Sequence, residues 1–345
     1  MALGCKYGSH RVLEPRGVLP QPAERLDNDM SCVYDNEILV DVSALNIDSA
    51  SFTQLKGATG GDLQKIEKQI LDIVGKRGKM QNPVTGSGGM FIGSVAGVGS
   101  ALAGRGLKVG DRIASLVSLS LTPLKIDKIT AIRADIDRVE IEGRAILFES
   151  GIYAKLPQDM EESLALAVLD VAGAPAQAAK LVGPGQSVLI LGAGGKSGML
   201  VAHEAMKRVG PTGRVVGNVY LPEDAETLRQ LRLCHEVFVE DASKPILMLH
   251  RALAANAGFE YDVVFNCVNV PNTEMATVMA CRQGGVVYFF GMATHFTKAS
   301  LGTEGVGKDI TMMVGNGYTL GHAETALAEL RENAGLRKLF EERYS

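Results

Sequence analysis

The chain has 345 residues, of which 46% are hydrophobic and 21% charged, a composition that predicts about two packed domains and excludes a disordered chain. Lys and Arg total 35 against 39 Asp and Glu, so the net charge of -4 argues against nucleic acid as a partner. The five cysteines are odd in number and contain no C-x-x-C pair, which disfavours a disulfide framework and favours a reducing compartment.

The first domain is predicted to be small and rich in β-strands. Residues 37–47 alternate into a β-branched run that is typical of a strand. Residues 62–74 carry apolar side chains at helical spacing, with Asp62 as the N-cap and Gly75 where a helix end favours a left-handed residue. Short strands punctuated by glycine follow, so we place this β-rich domain at residues 1–155.

The second domain is predicted to alternate strands and helices. Helical periodicity over residues 163–182 is followed by a strand at 187–191, a glycine loop and a helix over 199–209. Because the alternation continues, we expect a parallel, doubly wound Rossmann sheet over residues 156–320. A C-terminal helix within residues 321–345 is expected to return to the first domain. Further β-rich runs lie at 214–221, 235–241, 261–270 and 284–292.

No segment predicts a membrane partner or a secretory destination. The first thirty residues lack the apolar core of a secretory signal. The longest apolar helical stretch, residues 164–182, contains Asp170, Pro175 and Lys180 and is too polar to span a bilayer. We therefore expect a cytoplasmic protein that binds no membrane.

The strongest chemical signal is the sequence VLILGAGGKSG between a buried strand and a helix. Its glycines let the backbone turn tightly and approach a pyrophosphate, whose charge is met by free N–H groups at the start of the helix. The spacing is GxGxxxG rather than the usual GxGxxG. In this context the loop predicts a dinucleotide site, and a tight turn without a ligand is the alternative. The cofactor contacts predicted in this loop are Gly192, Gly194, Gly195, Lys196, Ser197 and Gly198.

The end of the second strand of this domain bears on the choice between NAD and NADP. An NAD site usually places Asp or Glu there, whereas this chain has Asn218, with Glu223 and Asp224 in the following turn. Asn218 offers a neutral hydrogen bond to the ribose. No Arg stands there to meet a 2′-phosphate, although Arg214 is near. We therefore favour NAD and keep NADP open, and a solvated helix start is the alternative for the two acids.

Three segments carry recognisable motifs, namely EILVDVSALNI, GSVAGVGSALAGRGLKVGDRI and GPGQSVLILGAGGKSG. In that order they resemble the first strand, the G-x-V-x-x-V-G…VGDRV segment and the nucleotide-binding segment of the medium-chain dehydrogenase/reductase superfamily. The resemblance implies an N-terminal chaperonin-10-like β-barrel, a Rossmann domain and a homodimer. Zinc members carry Cys where this chain has Ile47, and GHE where it has Gly86-Ser87-Gly88, so we predict no metal.

A narrower resemblance lies in residues 4–28, GCKYGSHRVLEPRGVLPQPAERLDN, which are similar to the 3,5-diaminohexanoate dehydrogenases of bacterial lysine fermentation. It implies NAD-dependent oxidative deamination of a small diamino acid, (3S,5S)-3,5-diaminohexanoate, to 5-amino-3-oxohexanoate and ammonium. Two other readings stay open. One is a zinc-free quinone or enone reductase of the same superfamily that prefers NADPH, and the other is a non-catalytic nucleotide-binding protein on this fold.

Three acids are candidates for the proton transfer that oxidation of an ammonium requires. Asp48 follows the first strand, Glu149 precedes the crossover between the domains, and Asp170 interrupts an apolar helix, where an unpaired acid is costly. The alternatives are a turn cap for Asp48 and a solvated loop acid for Glu149. Further cofactor contacts are predicted near the ends of later strands, at Asn266, Gly291 and His295.

Overall fold

The structure is a computed structural model that describes residues 3–315 and 317–344. The chain divides into two compact units, Met1–Gln158 and Asp159–Ser345. An antiparallel sheet supports the first unit and a parallel sheet the second. The predicted fold class, a β-rich N-terminal domain followed by a Rossmann-type domain, is therefore confirmed.

The first unit consists of strands with a pair of helices inserted between the third and fourth. In chain order the elements are β1 (Val12–Glu14), β2 (Arg25–Leu26), β3 (Glu37–Asn46), α1 (Ser49–Thr59), α2 (Leu63–Arg77), β4 (Met90–Val98), β5 (Arg112–Ser115), β6 (Leu124–Arg133), β7 (Arg138–Phe148) and β8 (Tyr153–Lys155). One antiparallel sheet has the order β6-β7-β3-β4-β5-β8, and β1 pairs with β2. Apolar side chains of this sheet pack with those of α1 and α2 to form the core.

Helix α2 shows where local pattern and tertiary packing each decide an element. Asp62 accepts hydrogen bonds from two backbone N–H groups of the first turn, as predicted for an N-cap. The predicted end at Gly75 is wrong, because the helix continues to Arg77 and is capped by Gly78, whose φ is 66°. A Cβ on Gly78 would come within 3.0 Å of Leu26 O. Close packing against β2 therefore fixes where the helix ends.

A buried ion pair ties the N-terminal segment to the sheet. Arg11 is 1% exposed and Glu37 0%. Arg11 Nε and Nη2 each lie 2.7 Å from a Glu37 carboxylate oxygen, and His10 Nε2 lies 2.8 Å from the same group. Burial raises the pKa of Glu37, but the hydrogen bonds from Arg11 and His10 outweigh it and lower the pKa from 4.5 to about 2. The pair is therefore ionised at neutral pH.

A second buried cation holds the same segment. Lys79 is 0% exposed, and its Nζ donates to Pro20 O at 2.7 Å and to Gln21 O at 2.9 Å. Burial, helped by the nearby charge of Arg77, lowers the pKa of Lys79 from 10.5 to about 7. The Lys79 ammonium therefore loses its proton in the neutral pH range.

The second unit alternates helices and strands. Its elements are α3 (Glu162–Leu169), α4 (Gly173–Leu181), β9 (Ser187–Leu191), α5 (Lys196–Val209), β10 (Arg214–Val219), α6 (Pro222–Gln230), β11 (Glu236–Val239), α7 (Pro245–Ala255), β12 (Tyr261–Asn266), α8 (Glu274–Ala280), β13 (Cys281–Phe289), α9 (Phe296–Gly305), β14 (Thr311–Val314), α10 (His322–Glu332) and α11 (Ala334–Tyr344). The strands are parallel in the order β11-β10-β9-β12-β13-β14. The chain thus places β10 on one side of β9 and β12 on the other, and nucleotide sites form at such a reversal of strand order.

The helices at both ends of this unit differ from expectation. The single helix predicted over 163–182 is two helices, α3 and α4, bent by 51° at the break between them. Among the described residues no single helix is long and apolar enough to cross a membrane, and α3 with α4 passes that test only as a bent pair, on length and composition. Helices α10 and α11 pack on α3, and α10 also on α4 and α5. The C-terminal segment therefore belongs to the second unit, where the sequence had suggested a return to the first.

Candidate active site

The glycine loop after β9 forms a cradle that larger residues would fill. Gly192 has a φ of 75°, and a Cβ there would lie 3.1 Å from the backbone carbon of Cys267. A Cβ on Gly198 would come within 3.0 Å of Gly192 O and of Ala193, so only glycine lets α5 approach the strand this closely. Helix α5 begins at Lys196, and the N–H groups of a first helical turn lack partners within the helix. The cradle therefore fits a dinucleotide pyrophosphate.

An acid from α6 lies on this loop. A Cβ on Gly194 would stand 2.7 to 2.9 Å from the Cβ, Cγ and Oδ2 atoms of Asp224, so the carboxylate packs directly on the loop. Asp224 occupies the first turn of α6, immediately after β10. The sequence had offered Asp224 as one of two acids able to reach the ribose, and the structure puts this one on the cradle.

A cavity of about 610 Å³ opens beside the loop. Asp170 and Lys196 face each other on its wall, with Lys196 Nζ 2.8 Å from Asp170 Oδ2. The two side chains are 54% and 30% exposed, so the pair contributes little to stability. The cavity thus brings together several predicted site residues, namely Asp170, Gly195, Lys196, Ser197 and Gly291.

Asp48 lies in the first unit, at the end of β3. Its Oδ1 accepts a hydrogen bond of 2.9 Å from Ser51 N and caps α1, so the structural role weighed for Asp48 is present. Its Oδ2 is buried and has no hydrogen-bond donor among the described residues. The same holds for Oδ1 of Asn46, two residues earlier, which the sequence analysis did not single out. Two buried acceptor oxygens therefore lack a donor at this strand end.

Glu149 is held by the first unit. Its Oε2 accepts a hydrogen bond of 3.0 Å from Asn36 Nδ2, and its Oε1 lies 4.0 Å from Arg105 Nη2. Its backbone oxygen accepts from Arg105 Nη1 at 2.6 Å. These bonds tie the β7–β8 turn to Asn36, which precedes β3, and to Arg105 between β4 and β5, so Glu149 has a structural role that the sequence did not indicate.

Two residues predicted to contact the cofactor, both at strand ends, form hydrogen bonds to neighbouring protein groups. Asn218 is 2% exposed, and its amide nitrogen donates to Glu240 O at 3.0 Å. Asn266 is 0% exposed, donates to the hydroxyls of Thr273 and Thr277, and accepts from Val268 N. Both side chains therefore brace strand ends, and their predicted cofactor contacts stay predictions.

His295 is likewise used locally. It is an exposed residue that caps α9, with its Nδ1 accepting a hydrogen bond of 3.4 Å from Lys298 N. Its backbone N–H donates to Glu274 Oε1 at 2.7 Å. Its ring does not line the cavity beside the glycine loop. His295 therefore caps a helix, and its predicted cofactor contact stays a prediction.

A charged cluster joins α5 to α10. In the described part of the chain, His203, Glu329 and Glu332 offer ligand atoms within 4.8 Å of one another. Lys207 Nζ lies 3.0 Å from Glu329 and 2.6 Å from Glu332, so an ammonium already supplies the cation. Burial and the neighbouring carboxylate of Glu204 raise the pKa of Glu329. The cluster joins α5 to α10 through ion pairs, and no local sequence pattern indicated it.

The fold places the chain in a structural class. The CurK enoyl reductase structure superimposes with a TM-score of 0.53 at 18% sequence identity, over 88% of this chain and 81% of that chain. This likeness supports the fold described above, an antiparallel β unit followed by a doubly wound parallel sheet with a glycine cradle after its first strand.

Sequence comparison narrows the class to one family. Residues 10–157 match the family model of the L-erythro-3,5-diaminohexanoate dehydrogenase N-terminal domain. The L-erythro-3,5-diaminohexanoate dehydrogenase of Acetoanaerobium sticklandii is 63% identical over 342 residues, 99% of each chain. The enzyme of the same name from Fusobacterium nucleatum subsp. nucleatum is 62% identical over 345 residues, 100% of each chain. The chain belongs to the L-erythro-3,5-diaminohexanoate dehydrogenase family.

Proposed function

We propose that the chain is a cytoplasmic dehydrogenase that converts (3S,5S)-3,5-diaminohexanoate to 5-amino-3-oxohexanoate and ammonium in lysine fermentation, with NAD as oxidant. The observation that carries this proposal is the 63% identity to a dehydrogenase named for this substrate, over 99% of both chains. Identity at this level without gaps in coverage supports a shared substrate as well as a shared fold.

The glycine cradle supports a nicotinamide dinucleotide as the cofactor. The first-turn N–H groups of α5 would hold its pyrophosphate, and the cavity beside Ser197 and Gly291 would take the adjoining part of the molecule. NAD, when bound, supplies the hydride acceptor. The carboxylate of Asp224 on the loop favours NAD over NADP, because it accepts hydrogen bonds from ribose hydroxyls and repels a 2′-phosphate.

Asp48 is the residue we assign to the proton transfer. A substrate ammonium has no lone pair until it loses a proton, so a base must act before the C–H bond breaks. The Oδ2 of Asp48 and the Oδ1 of Asn46 are buried acceptors without a donor, and an ammonium supplies donors of the right charge. Asp48 takes a proton from the ammonium, and the freed nitrogen lone pair forms the C=N bond as the carbon gives up its hydride to the nicotinamide that the cradle would hold. Water then adds to the resulting iminium, which breaks down to the ketone and ammonium.

Asp170 and Glu149 play lesser parts in this proposal. Asp170 keeps Lys196 at the wall of the cavity through their 2.8 Å ion pair, and so shapes the cofactor side of the site. Glu149 keeps its bonds to Asn36 and Arg105 and holds the β7–β8 turn in place. Removal of either carboxylate is expected to affect turnover less than removal of Asp48.

We also propose a homodimer formed through the edge of the parallel sheet. Strand β14 pairs with β13 on one side and ends the strand order on the other, so its outer backbone groups face away from the sheet. An unpaired edge of this kind can join a second copy of the same edge. Light scattering should give twice the chain mass, and a monomer at micromolar concentration would contradict this arrangement.

The proposed reaction is tested with the purified protein and a panel of substrates. NAD and NADP are each offered with 3,5-diaminohexanoate and with simple alcohols, and reduced nicotinamide is followed by its absorbance. We expect NAD reduction with the diamino acid and at least tenfold less with NADP. Reduction only with alcohols, or oxidation of NADPH by quinones with no reaction of the diamino acid, would contradict the proposal.

A further inference from the structure

The last turn of α11 contacts residues that adjoin the glycine loop. Arg343 Nη1 is 3.2 Å from Oδ1 of Asp224, and Arg343 Nη2 is 3.5 Å from the hydroxyl of Thr227. The next side chain, Tyr344, has its ring 5.6 Å from Lys196 Nζ. Two consecutive residues of the C-terminal helix therefore contact Asp224, which packs on the loop, and Lys196, which directly follows it.

A dinucleotide bound at the glycine loop would need a cation to balance the negative charge there. The carboxylate of Asp224 packs on Gly194, and a bound pyrophosphate would bring further negative charge to the same loop. The ammonium of Lys196 is already paired with Asp170 on the cavity side. Arg343 is paired with Asp224 and has a side chain that is 32% exposed, so part of its guanidinium stays open to solvent.

We propose that Arg343 is a phosphate-binding residue of the dinucleotide site. Its planar guanidinium carries five N–H donors, so it can keep one bond to Asp224 and give others to an oxygen of the pyrophosphate. In this arrangement Asp224 orients Arg343, and Arg343 supplies the positive charge that a pyrophosphate at this loop requires. The inference rests on the proposed dinucleotide function and extends the site to a helix far away in sequence.

The test compares binding of phosphate-containing and phosphate-free fragments. Arg343→Ala should weaken NADH and ADP-ribose about tenfold, as expected for loss of a charge-assisted contact at a partly exposed site, and should leave adenosine binding unchanged. Arg343→Lys should recover part of the loss, because it restores the charge but not the planar donor set. In turnover, KM for NAD should rise while kcat and KM for the diamino acid change less than twofold.

Lys338→Ala is the matched control. Lys338 lies on the same helix, its side chain is 77% exposed, and its ion-pair partner Glu342 is on the same helix. This variant removes the same charge from α11 and should bind ADP-ribose as the wild type does. Equal weakening in both variants, or unchanged ADP-ribose binding in Arg343→Ala, would overturn the inference.

A second variant keeps the inference testable if Arg343→Ala fails to fold. Asp224→Asn removes the carboxylate and leaves Arg343 in place, so binding of ADP-ribose should be retained and the discrimination against NADP should fall. If Asp224→Asn loses ADP-ribose binding and still excludes NADP, the assigned charge arrangement is wrong. If Arg343→Ala still oxidises the diamino acid and its KM for NAD is unchanged, the role of Arg343 is refuted and the proposed function is not. Absence of diamino-acid oxidation in the wild type refutes the proposed function instead.

Discussion

Alanine at two positions of the glycine loop should separate folding from cofactor binding. At Gly198 a Cβ would come within 3.0 Å of backbone atoms of Gly192 and Ala193, none of which can move without shifting β9 or α5. Overpacking of this kind costs about 1–3 kcal/mol of unfolding free energy. At Gly195 the φ is −81° and a Cβ would lie 3.6 Å from Gly192 O, an ordinary contact. Gly195→Ala should therefore change the unfolding free energy by less than about 1 kcal/mol.

A general disturbance of the loop would affect both variants alike, whereas we expect Gly195→Ala to lose NADH affinity alone and Gly198→Ala to lose stability as well. Gly195 lines the cavity, so a methyl group there occupies space next to the cofactor and should weaken NADH about tenfold, or about 1.4 kcal/mol. Gly198→Ala should lose both stability and binding. Urea unfolding gives the first quantity and quenching or enhancement of NADH fluorescence the second.

Gly183→Ala provides the control for this pair. Its Cβ would lie 3.7 Å from Gln186 Oε1, outside the loop, and neither stability nor NADH affinity should change beyond about 0.5 kcal/mol. Wild-type stability and NADH affinity in Gly198→Ala would refute the packing argument. Unchanged NADH affinity in Gly195→Ala would refute the placement of the cofactor.

Three further substitutions test the proposed base Asp48, the buried Arg11–Glu37 ion pair and the buried Lys79. Asp48→Asn keeps an N-cap but removes the base, so kcat for the diamino acid should fall about 10² to 10⁴-fold with NADH affinity unchanged, and undiminished turnover would exclude Asp48 as the base. Glu37→Gln removes a carboxylate whose pKa is lowered from 4.5 to about 2, a contribution of about 3 kcal/mol that is present above pH 4.5. The deficit of this variant in urea unfolding should shrink as the pH falls from 4.5 toward 2, and a constant deficit would contradict the reasoning. Lys79 has its pKa lowered from 10.5 to about 7, so the unfolded chain binds more protons between these values and wild-type stability should rise with pH there. Lys79→Met should lose that rise, and parallel pH curves for the two proteins would show that Lys79 does not cause it.

Local pattern was enough to predict the architecture but not every boundary. Hydrophobic periodicity and turn residues predicted the strand, loop and helix around VLILGAGGKSG, and the structure has β9, the loop and α5 there. Helix α1 over Ser49–Thr59 was not predicted, because its polar start resembles a turn. The end of α2 moved from Gly75 to Gly78 because the deciding contact, with Leu26, comes from a strand far away in sequence.

The candidate site combines residues that are adjacent in the chain, which local sequence can indicate, with residues that are far apart, which it cannot. Asn218 and Asn266 stand at strand ends, where polar side chains can face a ligand or brace a neighbouring loop, and local sequence cannot distinguish the two. The pairing of Arg343 with Asp224 joins residues 119 positions apart. Its only local signal is a basic residue near the end of an amphipathic helix, which is common in helices without a ligand.

The central claim is tested most directly by the stoichiometry of the reaction. Purified protein is incubated with (3S,5S)-3,5-diaminohexanoate and NAD, and NADH and free ammonium are measured in the same samples, with 5-amino-3-oxohexanoate identified by mass. Oxidative deamination predicts one ammonium for each NADH. NADH formed without ammonium, or no NADH from the diamino acid, would contradict it.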